Sequence, residues 1–298
     1  MPSRILMPLI VAFSSIAHAD GLVQDSGYLD LQLTGRVISE ILTDVPDDIV
    51  GIVRAPFDNP DAARDYALIL GGLILTDKYL TSVYQDDIEP AITINLPDLN
   101  PEKYPSEFMK SDRYLATGLV GAYASSIILS DEKGQAAALL SAKAGAYSYI
   151  FSHVILKPLF GRNRPHRDLS DCGKSGEIVR PGFTCDNLDF GNEGSTYFKV
   201  GGLATSMPSF HATLYTSVAR VYQQTYGNYI VPYSLAALLF ANDIKDHNHW
   251  VSDLFAGVIT GIVIGDVVTG NFFDDNDDLS VIPIINNDSQ GVFLTYLF

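Results

Sequence analysis

Apolar residues recur three and four positions apart in six stretches, 65–85, 112–131, 135–157, 209–225, 229–242 and 250–269, with Gly and Pro mostly at their edges. That period predicts helices. Few runs alternate as strands do, so the expected fold class is all-α. In the last stretch Trp250, Val251, Leu254, Phe255, Val258, Ile259 and Ile262 form a broad stripe, while Gly257, Gly261 and Gly265 recur every four residues. Such glycines let a neighbouring helix approach closely. Residues 20–60 mix acids, Gly and Pro without a sustained period and are expected to form an irregular lead-in. Between Arg167 and Gly202 runs a long loop rich in Gly, Asp and Asn, and loops of that size are usually functional or pinned by a disulfide. The tail, 271–298, is an acidic turn followed by two short apolar runs around "NNDSQG", the pattern of a short β-hairpin.

Composition sharpens this picture. The chain has 298 residues, 19 Lys and Arg against 35 Asp and Glu, and a formal charge of −16, which disfavours nucleic acid as a partner. The start, "MPSRILMPLIVAFSSIAHAD", carries Arg4, an apolar run and Ala17-His18-Ala19, the pattern of a secretory leader cleaved near Ala19. The expected organisation is therefore a leader (1–19), the irregular segment (20–60), one helical domain (61–270) and the tail (271–298), in a periplasmic or secreted protein. Export makes a Cys172–Cys185 disulfide the expectation, with two buried thiols as the alternative. The apolar stretches Tyr114–Ser130 (17 residues) and Tyr229–Ala241 (13 residues) fall short of the ~20 residues that span a bilayer, so membrane association is allowed but not required. Asp274, Asn276 and Asp278 begin like a calcium loop, but Leu279 stands where such a loop needs Gly, and no metal is expected.

Three segments carry chemistry. "LKPLFGRNRPHRD" places Lys157, Arg162, Arg164 and Arg167 within eleven residues of an acidic chain, a cluster suited either to phosphate or to a helix C-terminus. In "SMPSFHA", Ser206 is a cap candidate and Pro208 suits a first turn. That puts Ser209, the Phe210 amide and His211 in the opening turn of a helix, where free N–H groups favour an anion. His249 and Asp253 stand four apart and share a helix face, so the carboxylate can accept from one ring nitrogen and leave the other as a nucleophile or base. Each segment alone has an ordinary structural reading.

Together they resemble the signature of the type 2 phosphatidic acid phosphatase superfamily, which also contains bacterial acid phosphatases and vanadium-dependent haloperoxidases. The matching residues are Lys157-x6-Arg164-Pro165, Pro208-Ser209-Phe210-His211 and His249-x3-Asp253. The resemblance implies a helical bundle and phosphate binding by Lys157, Arg164, Ser209 and the Phe210 amide. It also implies that His211 is the general acid and His249 the nucleophile, oriented by Asp253. It requires no cofactor; vanadate belongs only to a peroxidase alternative. The implied substrate is a phosphorylated small molecule or lipid headgroup. A phosphate-binding homologue with impaired turnover is the other alternative.

One departure stands out. The family's third motif usually reads Ser-Arg-x5-His-x3-Asp, and here Asn242-Asp243 occupies the Ser-Arg positions. Placing an acid about 4 Å from phosphate costs on the order of 4 kcal/mol per charge unit at an effective dielectric near 20. Either Lys245, Arg162 or Arg167 serves as an auxiliary cation, or Asp243 turns away to a basic neighbour such as Lys245 or Arg162, or catalysis has decayed. Phe210 replaces the family's Gly, which keeps the amide and adds bulk.

Overall fold

The computed structural model describes residues 31–99, 109–174, 180–193, 203–243 and 249–274, together with the backbone of 280–286 and 289–295. The leader and Lys245 lie outside the described residues. Helices α1 (Leu31–Thr43), α2 (Val45–Asp58) and α3 (Pro60–Val83) are followed by α4 (Lys110–Ile128) and α5 (Glu132–Ser148). A π-helical stretch, Tyr149–Leu156, then leads into the short α6 (Lys157–Phe160). After the long loop come α7 (Phe210–Tyr226), α8 (Ile230–Asp243) and α9 (Val251–Asp274). The fold is all-α, as the periodicity predicts.

Within the segment expected to be irregular, the described residues 31–60 are largely helical, which corrects that part of the reading of 20–60. Val37, Ile41 and Ile52 are buried in the main core with Leu140, Val221, Ile264 and Phe272. Pro46 sits in the first turn of α2, where its missing N–H costs nothing, followed by Asp47 and Asp48 at the favourable end of the helix dipole. The buried Asp48 accepts from Tyr147 (3.0 Å) and Asn271 (2.9 Å) and pairs with Lys143 (2.6 Å), tying α2 to α5 and α9. Gly35, Gly51 and Pro56 interrupt the period without preventing helix formation, because the packed face supplies the stability.

Helix α9 lies directly against α7. A Cβ on Gly257 would meet the Ser209 carbonyl at 2.6 Å, and one on Gly261 would meet the Thr213 carbonyl at 2.5 Å. These glycines therefore set how near Ser209 comes to the start of α9. Among the described residues α9 is the one helix long and apolar enough, by length and composition, to cross a bilayer. Its Ile264 and Val268 are fully buried in the main core.

The loop folds back on the bundle. Arg164–Pro165 pairs in parallel with Phe183–Thr184, and Cys172 and Cys185 are joined in a disulfide with Cα atoms 5.8 Å apart. In the tail, Ser280–Asn286 and Ser289–Thr295 form the expected antiparallel hairpin.

Candidate active site

Lys157 opens α6 and is 2% exposed. Burial, then the charge of Arg164, lowers its pKa to about 7, against the weaker pull of Asp253. No carboxylate lies within ion-pair distance of its ammonium among the described residues. Gly161 ends α6 with φ +55°, and a Cβ there would meet the Asn192 backbone at 2.7 Å. That turn sends the next side chain inward.

Arg162 is consequently fully buried, and its role as an auxiliary phosphate cation is corrected. Its Nη1 donates to Asp253 Oδ1 (2.8 Å) and Ser252 Oγ (2.7 Å), and its Nη2 to Asp77 Oδ2 (2.8 Å) and the Asn187 carbonyl (2.6 Å). The Phe190 and Trp250 rings flank the guanidinium at 4.7 and 5.2 Å. Both terminal nitrogens are thus doubly engaged, and the buried Nε is left without a partner among the described residues. Arg164 is half-buried beside Thr205, and Arg167 is exposed.

Helix α7 begins at Phe210, and its first internal bond runs from the Thr213 amide to the Ser209 carbonyl, so the Phe210, His211 and Ala212 amides precede the helical ladder. Ser209, not Ser206, holds the cap position. Its Oγ is buried without a hydrogen-bond partner among the described residues, while its N–H donates to the Asp253 carbonyl at 3.0 Å. The expected cap Ser206 instead donates its hydroxyl to Asp253 Oδ2 at 2.5 Å. The extra bulk of Phe210 is absorbed by an aromatic wall, with ring centroids 4.8 Å from His153, 5.1 Å from His211 and 6.1 Å from Tyr149.

His249 Nδ1 lies 2.8 Å from the Ser206 carbonyl and 3.7 Å from Asp253 Oδ2. A carbonyl only accepts, so Nδ1 carries the proton and Nε2 remains a lone-pair nitrogen. Burial, reinforced by Arg164 and Lys157, lowers the imidazole pKa to about 4 despite Asp253, so the ring is neutral at pH 7. The expected direct bond from Asp253 is thus largely replaced by a relay through Ser206. Burial alone would raise the pKa of Asp253, but His249, Arg162 and Ser206 together hold it below the usual carboxylate range. His153 belongs to the same surroundings: burial first, then Lys157, His211, Arg164 and His249, depresses its pKa to about 3.

Asp243 is not paired with Arg162, another correction. It accepts from Ser111 Oγ and Tyr215 Oη, each at 2.5 Å. Tyr215 also reaches Asp112 (3.0 Å), and Asp112 Oδ2 lies 3.3 Å from His211 Nε2. Asp112, His211 and Asp243 offer possible metal-ligand atoms within 4.8 Å of one another, already engaged by these hydrogen bonds.

Residues 136–277 match a family model described as the PAP2 superfamily. This part of the chain belongs to the PAP2 superfamily. No curated protein and no solved structure matches the chain. The PAP2 segment contains Lys157, Arg162, Arg164, Ser209, His211, Asp243, His249 and Asp253, whereas Asp77 on α3 and Asp112 on α4 reach the site from outside it.

Sequence reasoning missed Asp77, Asp112, Ser206 as a partner of Asp253, and Tyr215. Asp77 carried one usable signal, an acid inside the apolar run of α3. Asp112 carries no such signal: it sits in the first turn of α4 and accepts from the Met109 amide at 3.0 Å, as an ordinary capping acid does.

Proposed function

We propose that the protein hydrolyses phosphate monoesters through a phosphohistidine formed on His249. One observation carries this reading. Lys157 is a buried ammonium without a carboxylate partner among the described residues, in the Coulomb surroundings of Arg164 and the neutral His249. Burying an unpaired cation is costly, and an arriving phosphate supplies the missing charge. The unpartnered hydroxyl of Ser209 and the free amides at the start of α7 are donors suited to the same anion.

In this mechanism His249 Nε2 attacks phosphorus, the ester P–O bond breaks, and the leaving oxygen takes a proton from His211. Water then attacks the phosphohistidine and returns a proton to His211, releasing phosphate and neutral His249. Arg162 acts at one remove by holding Asp253, which holds Ser206, whose carbonyl fixes His249. The substrate class is a phosphorylated small molecule or a lipid headgroup. Export rests on the leader sequence, and the Cys172–Cys185 disulfide is in keeping with an oxidising compartment.

Purified protein incubated with 4-nitrophenyl phosphate and glycerol 2-phosphate tests the proposal. Release of inorganic phosphate by the wild type and its loss in a folded His249→Ala variant are expected. Tight phosphate binding with no release would favour the impaired homologue, the reading that the acid at position 243 supports.

A further inference from the structure

His211 joins the candidate site to a second group of ionisable residues. Helix α4 contributes Asp112, α7 contributes His211 and Tyr215, and α8 contributes Asp243. Tyr215 Oη lies 3.0 Å from Asp112 Oδ1 and 2.5 Å from Asp243 Oδ2, and His211 Nε2 lies 3.3 Å from Asp112 Oδ2. Two carboxylates thus share one tyrosine proton. A phenol has a single proton to donate, so Tyr215 satisfies one acid at a time. It does not ionise to adjust the balance, because burial and both acids push its pKa well above the ordinary tyrosine value. Among the described residues no Lys or Arg comes within ion-pair distance of Asp112 or Asp243, and the imidazole of His211 is the one basic group that reaches the pair.

We infer that Asp112 and Asp243, coupled through Tyr215, are positioning residues that orient His211 for proton donation, with Nε2–H on Asp112 and Nδ1–H left for the leaving group. The inference rests on the phosphatase reading and deepens it. Opposite charge close to an imidazolium favours its protonated form. Of the remaining groups around the site, Lys157 and Arg164 are basic, whereas His153 and His249 are neutral, their pKa values lowered to about 3 and about 4. Asp112 holds His211 directly, and Asp243 stands behind it through Tyr215. When the ester bond breaks, Nδ1 gives its proton to the leaving oxygen and Nε2–H stays on Asp112. Water attacking the phosphohistidine restores the Nδ1 proton. An arginine at 243 would disfavour the imidazolium; the acid supports it. On this account the departure at 243 trades one phosphate contact for a proton donor that stays loaded, which esters with poor leaving groups need.

The test compares wild type, Asp243→Asn and Tyr215→Phe on glycerol 2-phosphate, whose leaving alkoxide needs a proton, and on 4-nitrophenyl phosphate, whose phenolate scarcely does. Asp112→Asn is avoided because Asp112 also caps α4. With glycerol 2-phosphate, Asp243→Asn is expected to lower kcat about tenfold at neutral pH, leave KM within about twofold, and move the alkaline limb of the pH profile about one unit lower. With 4-nitrophenyl phosphate the fall should be under about threefold. NMR titration of His211 in the folded variant should show deprotonation at lower pH than in wild type. Equal losses on both esters would overturn the inference, as would a lower KM with kcat unchanged, since Asp243 would then face the anion. A wild-type activity abolished by a chelator and restored by a divalent ion would also overturn it, because the acids would then hold a metal. If wild type hydrolyses neither ester, the phosphatase reading falls. The NMR titration still decides the inference in that case: an unchanged His211 titration sinks it.

Discussion

Arg162 and Lys157 stand five residues apart, both buried, both cationic, and they do opposite things. Arg162 is enclosed by Asp77, Asp253, Ser252 and the Asn187 carbonyl, between two aromatic rings. Lys157 has no carboxylate within ion-pair distance among the described residues, and its proton is held weakly. A satisfied buried cation organises structure, while an unsatisfied one is prepared for a ligand. Sequence proximity concealed this difference, because both residues belong to one basic cluster.

The most damaging way to break the contrast is Arg162→Met. It leaves Asp77 and Asp253 buried without their cation and should lower stability by about 3–5 kcal/mol, measured by urea unfolding. A loss near zero would show that the pair is not the structural half of the comparison. Lys157→Met should do the reverse. It removes a cation that costs the empty protein, so Tm should hold or rise, while kcat/KM on 4-nitrophenyl phosphate falls about 100- to 1,000-fold. A matching loss of Tm would make Lys157 a second structural cation.

The smallest effect sharpens the comparison through pH. Lys157 has a lowered pKa of about 7 in the anion-free site. A bound sulfate, whose own charge is constant in this range, favours the ammonium and raises that pKa. Below pH 7 the lysine is already charged and affinity should be flat; above it, affinity should fall up to tenfold per pH unit until the raised pKa is reached. Calorimetry in two buffers of different ionisation enthalpy should detect proton uptake at pH 8. Neither proton uptake nor pH dependence should survive in Lys157→Met.

The helices were legible because burial enforces a 3.6-residue period, and six stretches obeyed it. The bounds of α4, α7, α8 and α9 fall within a few residues of the pattern. Helices α1 and α2 were hidden because Gly35, Pro46, Gly51 and Pro56 break the windows while Val37, Ile41 and Ile52 still reach one core. The three motifs were legible as residue types at fixed spacing. Their wiring was not, since it depends on contacts between distant segments: Arg162 meets Asp77 across 85 positions and Asp253 across 91. Asp243 shows the same limit, for its partner Ser111 lies 132 positions away. Spacing also suggested a direct Asp253–His249 bond, whereas the helix start places the Ser206 carbonyl closer to the ring.

The central claim is that His249 Nε2 takes the phosphoryl group. Rapid quenching of turnover into alkali, followed by mass spectrometry of peptides, tests it most directly. A phosphoryl group on His249, acid-labile and alkali-stable, present in wild type and absent in His249→Ala, is the predicted result. Undiminished hydrolysis by a folded His249→Ala protein, or trapping of the phosphoryl group on another residue, would contradict it.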